Sequence, residues 1–88
     1  MNKDNIINMS KADKMFEELG YMKRNESKAE VKYCYNETLM GDRFVHTLLI
    51  SKTSKNFFHI DEIEGHCIGI GIDLLQAINE KVRELQWI

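Results

Sequence analysis

Apolar residues first gather at Met9, Ala12, Met15, Phe16 and Leu19, a helical spacing, with Lys11, Asp13, Lys14, Glu17 and Glu18 between them. Ser10 suits the N-cap of that helix, Asp13 suits its positive end, and Gly20 suits a left-handed C-terminal cap. This predicts a helix over about Lys11 to Leu19. The period then changes from helical to alternating. Tyr21 to Arg24 reads as a short strand and Asn25 to Lys28 as a turn. In Val31-Lys32-Tyr33-Cys34-Tyr35 the apolar positions alternate, as in a half-buried strand. Glu37 to Asp42 reads as a loop. Phe44 to Ser51 is rich in β-branched and aromatic residues, Lys52 to Lys55 makes a polar turn, and Asn56 to Ile60 returns as a strand.

Asp61 to Glu64 is acidic and reads as exposed. The last element is a helix. Leu74, Leu75, Ile78, Val82 and Leu85 form its apolar stripe, and Gln76, Asn79, Glu80, Lys81, Arg83 and Glu84 read as its solvent face. Trp87 and Ile88 are apolar and are expected to fold back on the core, whereas the polar start, Met1 to Asn8, is expected to fray. The order helix, three or four strands, helix predicts an α+β fold. Short connections make neighbouring strands antiparallel, and one sheet face receives the N-terminal and C-terminal helices in a two-layer domain spanning residues 1–88.

Composition narrows the functional classes. With 88 residues there is room for one modest core, and 43% hydrophobic with 30% charged residues is an ordinary globular balance. The formal net charge is −2, which argues against a general nucleic-acid binder. Lys and Arg total eight in residues 1–43 against eight acids, and four against six in residues 44–88. No stretch has signal-peptide character or the apolar length of a membrane span, so the expected location is the cytoplasm and no membrane partner is expected. Cys34 and Cys67 are then expected as free thiols.

The opening KADKMFEELGY and the close LLQAINEKVRELQWI resemble those of small phage and prophage proteins of Gram-positive bacteria, with a variable middle between them. That resemblance implies a phage-related origin and a cytoplasmic location. It brings no catalytic or binding residues with it.

The segment Gly65 to Asp73, GHCIGIGID, carries the candidate chemistry. A dinucleotide fingerprint needs a third glycine where Leu74 stands, and a helix with a second parallel strand, for which the seventeen residues after Gly71 are too few. The glycines read instead as a tight turn with unusual φ, feeding the last helix with Asp73 at its positive end. His59, Asp61, Glu62, Glu64, His66 and Cys67 are metal-ligand types at a spacing that matches no familiar zinc pattern, so no metal or other cofactor is assigned. Nothing marks either cysteine as an activated nucleophile beside His46, His59 or His66, and no catalytic residue is assigned.

The remaining candidate is a surface. Phe44, His46, Leu48 and Ile50 alternate with Val45, Thr47, Leu49 and Ser51, and both sets are largely apolar. A two-layer domain covers one sheet face, so either set can present a patch to a partner, unless the termini cover it or strand twist buries both sets. The candidate surface is Val45, Thr47, Leu49, Tyr33, Tyr35 and Phe58. The expected function is protein binding, to a second copy (a homodimer) or to a host factor, without catalysis. The alternative is single-stranded nucleic acid stacked on the strand aromatics, although an RNP-type signature is missing.

Overall fold

The computed structural model describes residues 9–87, with the side chain of Leu39 excepted. The expected fraying of Met1 to Asn8 and the packing of Ile88 lie outside the described residues. Helix α1 spans Lys11–Glu18 and starts as its cap predicts, with the Asp13 backbone N–H donating to Ser10 Oγ at 3.0 Å. It ends in a Schellman motif. The N–H groups of Gly20 and Tyr21 donate back to the carbonyls of Glu17 and Phe16, and Gly20 takes a φ of 90°.

Five antiparallel strands follow in sheet order β1-β2-β3-β4-β5: Met22–Glu26, Glu30–Leu39, Asp42–Ser51, Asn56–Asp61 and His66–Cys67. The α+β class holds, and the sheet has one strand more than the largest expected number. Boundaries also move, and β1 runs through Glu26 into the expected turn. Glu37 to Asp42 is not a loop, because β2 runs on to Leu39 and turns through Met40 and Gly41 alone. Both turn residues have positive φ, 53° and 85°, the geometry whose twist matches a two-residue hairpin. The added strand is β5, made from His66 and Cys67 of the glycine-rich segment. That segment does turn through Gly65 at a φ of 76°, but Gly69 and Gly71 have no positive φ and Gly71 is simply the N-cap of the last helix. Helix α2 spans Ile72–Glu84 and, like α1, ends in a Schellman motif, here with Gln86 in the left-handed position at a φ of 62°.

Register assigns the two faces. Val31, Tyr33 and Tyr35 on β2 stand opposite Ile50, Leu48 and His46 on β3, which stand opposite Phe57, His59 and Asp61 on β4. Both helices pack on this face, where Ala12, Phe16, Val31, Tyr33, Leu48, Ile50, Ala77 and Ile78 form the core. The Phe16 and Tyr33 rings stack at 4.0 Å between centroids. Trp87 folds back against this core, as its apolar character predicts.

Candidate functional site

Three groups of side chains stand out, and the first is structural. Lys81, read from sequence as solvent-facing, is 4% exposed. Its ammonium lies 3.5 Å from Asp13, 3.7 Å from Glu26 and 3.8 Å from Glu84. Lys23 bridges Asp13 and Glu26 at 2.8 and 2.9 Å, and Lys52 reaches Glu26 at 2.9 Å. Three lysines therefore meet three carboxylates. Tyr33 Oη donates to Asp13, and the Ala12 N–H donates to Glu84 at 2.9 Å across 72 residues of sequence. A β-bulge makes the cluster possible. Lys23 and Glu26 are three apart and would fall on opposite faces of a regular strand, but the register slips between Lys23 and Asn25. Both residues then stand on the helix side, opposite Tyr33 and Val31. Burial opposes ionisation of Glu26, yet hydrogen bonds from Lys23 and Lys52 and the charge of Lys81 outweigh it and hold the carboxyl at about 2. The same balance of burial against Lys23, Tyr33 and Lys81 lowers Asp13. Burial, then the hydrogen bond to Asp13, pushes the Tyr33 hydroxyl far up.

The second group is a polar row at the other end of the same face. Tyr35, His46, Asp61 and His66 are successive register partners across β2, β3, β4 and β5. The His46 ring stacks on Tyr35 at 5.6 Å and meets His59 edge-on at 5.8 Å. His59 is 7% exposed and fully partnered. Its Nδ1 donates to the Gly69 carbonyl at 2.9 Å, which leaves Nε2 to accept the Tyr21 hydroxyl at 2.7 Å. Burial lowers the His59 pKa against the pull of that carbonyl, and burial pushes Tyr21 up to about 12. The Tyr21–His59–Gly69 chain thus pins the glycine-rich segment to the sheet. Asp61 anchors the β4–β5 turn by accepting the N–H groups of Ile63 and Glu64 at 2.9 and 3.1 Å.

The third group is the sheet's other face, on which no described helix packs. Met22, Cys34, Thr47, Ile60 and Cys67 form one row across all five strands, and Lys32, Leu49 and Phe58 form the next. Val45, Leu49 and Ile60 are half-buried by their neighbours, while Met22 and Phe58 are 46% and 47% exposed. Of the residues expected to form one interaction surface, Val45, Thr47, Leu49 and Phe58 share this face. Tyr33 and Tyr35 do not. The pairing that puts Val31 in the core puts them there as well, and Tyr33 has no exposed surface. Thr47 is only 4% exposed despite its position, because Glu62 reaches across the face and accepts its hydroxyl at 2.7 Å. Both cysteines are free thiols, and Cys67 is exposed.

Comparison with protein-family models, with curated proteins and with solved structures found no match. Among the described residues no helix is long and apolar enough to cross a membrane.

Proposed function

We propose that this chain is a protein-binding module that engages its partner through the uncovered face of the sheet. The observation that carries the reading is the apolar set of Met22, Val45, Leu49, Phe58 and Ile60, drawn from β1, β3 and β4, with no described helix upon it. Removal of such a surface from water drives association. Phe58 is the natural anchor, since aromatic side chains dominate interface energetics. The resemblance of both ends of the chain to phage and prophage proteins makes the partner a second copy or a bacterial host protein. Stacking of single-stranded nucleic acid is the weaker reading. Its tyrosines stand on the helix side, and Phe58 is left as the single strand aromatic on the open face.

The test is to charge the face and separate association from folding. Leu49→Asp and Val45→Asp are each compared with the wild type by light scattering across a concentration series and by thermal unfolding. Loss of self-association with an unchanged unfolding midpoint supports a face-to-face dimer. Where the wild type is monomeric, capture from a bacterial lysate with nuclease reads the heterologous partner, and the same two variants should lose it. If both variants unfold, Val45 and Leu49 are core residues and the proposal is wrong.

A further inference from the structure

The β4–β5 turn and the strands beside it hold a second candidate site. We propose that Asp61, Glu64 and His66 bind a divalent transition-metal ion of the zinc type. The ligand atoms of Asp61, Glu64 and His66 all lie within 4.8 Å of one another. An ion bonded to nitrogen and oxygen at about 2.0–2.2 Å holds its donors about 3.4 Å apart in a tetrahedral site. Small side-chain rotations therefore close the set.

The fold explains why these residues meet. Asp61 and His66 are direct cross-strand partners, the last pair of the β4–β5 ladder. Glu64 returns to them because the turn doubles back at Gly65, whose N–H donates to the Asp61 carbonyl at 2.7 Å. The sequence spacing conceals the cluster, since two of its members meet only through strand pairing.

Donor chemistry selects the ion. Carboxylates alone would suit calcium or magnesium, whereas imidazole with carboxylate suits zinc, nickel or copper. His66 Nε2 already faces Glu64 Oε1 at 2.8 Å, so an ion between them would replace a shared proton. Asp61 uses Oδ1 for the Ile63 and Glu64 N–H groups, and these bonds orient a carboxylate whose Oδ2 is left for the ion. His46 is the register partner of Asp61 on β3 and brings a second imidazole to the same row. A groove of about 350 Å³, walled by Asp42, Arg43, Phe44, Asp61, Ile63 and Glu64, opens beside the cluster. It leaves room for water to complete the coordination shell.

The experiment is calorimetric titration of the full chain with zinc chloride near neutral pH. The wild type, His66→Ala, Glu64→Gln and the double variant Cys34→Ser/Cys67→Ser are compared. We expect one ion per chain, affinity weaker by about tenfold or more in each of the first two variants, and no change in the cysteine variant. The His66 and Glu64 side chains are 56% and 67% exposed, so the unfolding midpoint without metal should stay put in both. A parallel NMR titration should shift the His66 imidazole resonances first. No measurable binding overturns the proposal. So does binding that survives both His66→Ala and Glu64→Gln, or binding that disappears with the two thiols.

Discussion

On β3, Leu48 and Ile50 have no exposed surface, while Leu49 between them is only half-buried. The three side chains are nearly the same in size and hydrophobicity. What separates them is the company that register gives each: Leu48 and Ile50 stand beside Tyr33 and Val31 under two helices, and Leu49 stands beside Lys32 and Phe58 on the open side. Hydrophobicity along one strand thus does not choose the core face. The neighbouring strands and the helices choose it. On the covered side Asp13, Lys23, Glu26, Lys81 and Glu84 knit the helices to β1. On the open side no such ion-pair cluster forms among the described residues, and Met22 and Phe58 stand 46% and 47% exposed.

The largest expected effect comes from removing the cation at the centre of the covered side. Lys81→Met leaves three carboxylates without their shared partner and should cost about 3–5 kcal/mol in guanidinium chloride denaturation. A loss well under that would mean that the cluster is solvated and that the contrast between the faces is overstated. Next comes the direct comparison on β3. Leu48→Ala should cost about 2–5 kcal/mol and Leu49→Ala less than about half as much, because only the first opens a fully enclosed cavity. Equal losses would show that both faces are core. Smaller still, Tyr21→Phe strands His59 Nε2 without its donor and should cost about 1–2 kcal/mol. If the variant is neutral, that hydrogen bond is not what holds the glycine-rich segment down.

The gentlest perturbation changes no residue. Asp13 and Glu26 have folded-state pKa values below their unfolded ones, with Glu26 lowered from 4.5 to about 2. As pH falls, the unfolded chain takes up these protons first. Their stabilisation is complete above the unfolded values and is lost as pH falls through the folded ones. The unfolding midpoint should therefore fall on acidification from about pH 5 to about pH 2, and Glu26→Gln should flatten part of that slope.

Much of the fold was legible in the sequence because local chemistry and tertiary context agree there. Ser10 caps α1, Gly20 ends it, and the aromatic and β-branched run of β3 is a strand. The extension of β2 through Glu37 to Leu39 was hidden because that part of the hairpin carries no clean apolar alternation. Its signal was Gly41, which suits the second position of a two-residue turn, but Met40 is a poor residue for positive φ and disguised it. Lys81 was misread by residue type. Its position was informative, since 74, 78, 81 and 85 lie on one helical stripe, and Leu75 instead stands 39% exposed. Of the candidate residues, Val45, Thr47, Leu49 and Phe58 share one sheet face. Tyr33 and Tyr35 lie on the other, because alternation groups residues by face but does not pair the faces of different strands. The Asp61–Glu64–His66 cluster required the β5 pairing, and a two-residue strand leaves almost no pattern to read.

The sheet order, in which every strand pairs with its neighbour in sequence, also sets how the chain assembles. Each hairpin closes only a short loop, so the sheet is built from the cheapest contacts available to a β structure. The expensive closure is the helix pair. The Ala12 to Glu84 hydrogen bond joins points 72 residues apart. Hairpins form in microseconds. The slow step of folding should then be the docking of α1 and α2 onto a meander already in register, and the fluorescence of Trp87, which packs against the core, should report it.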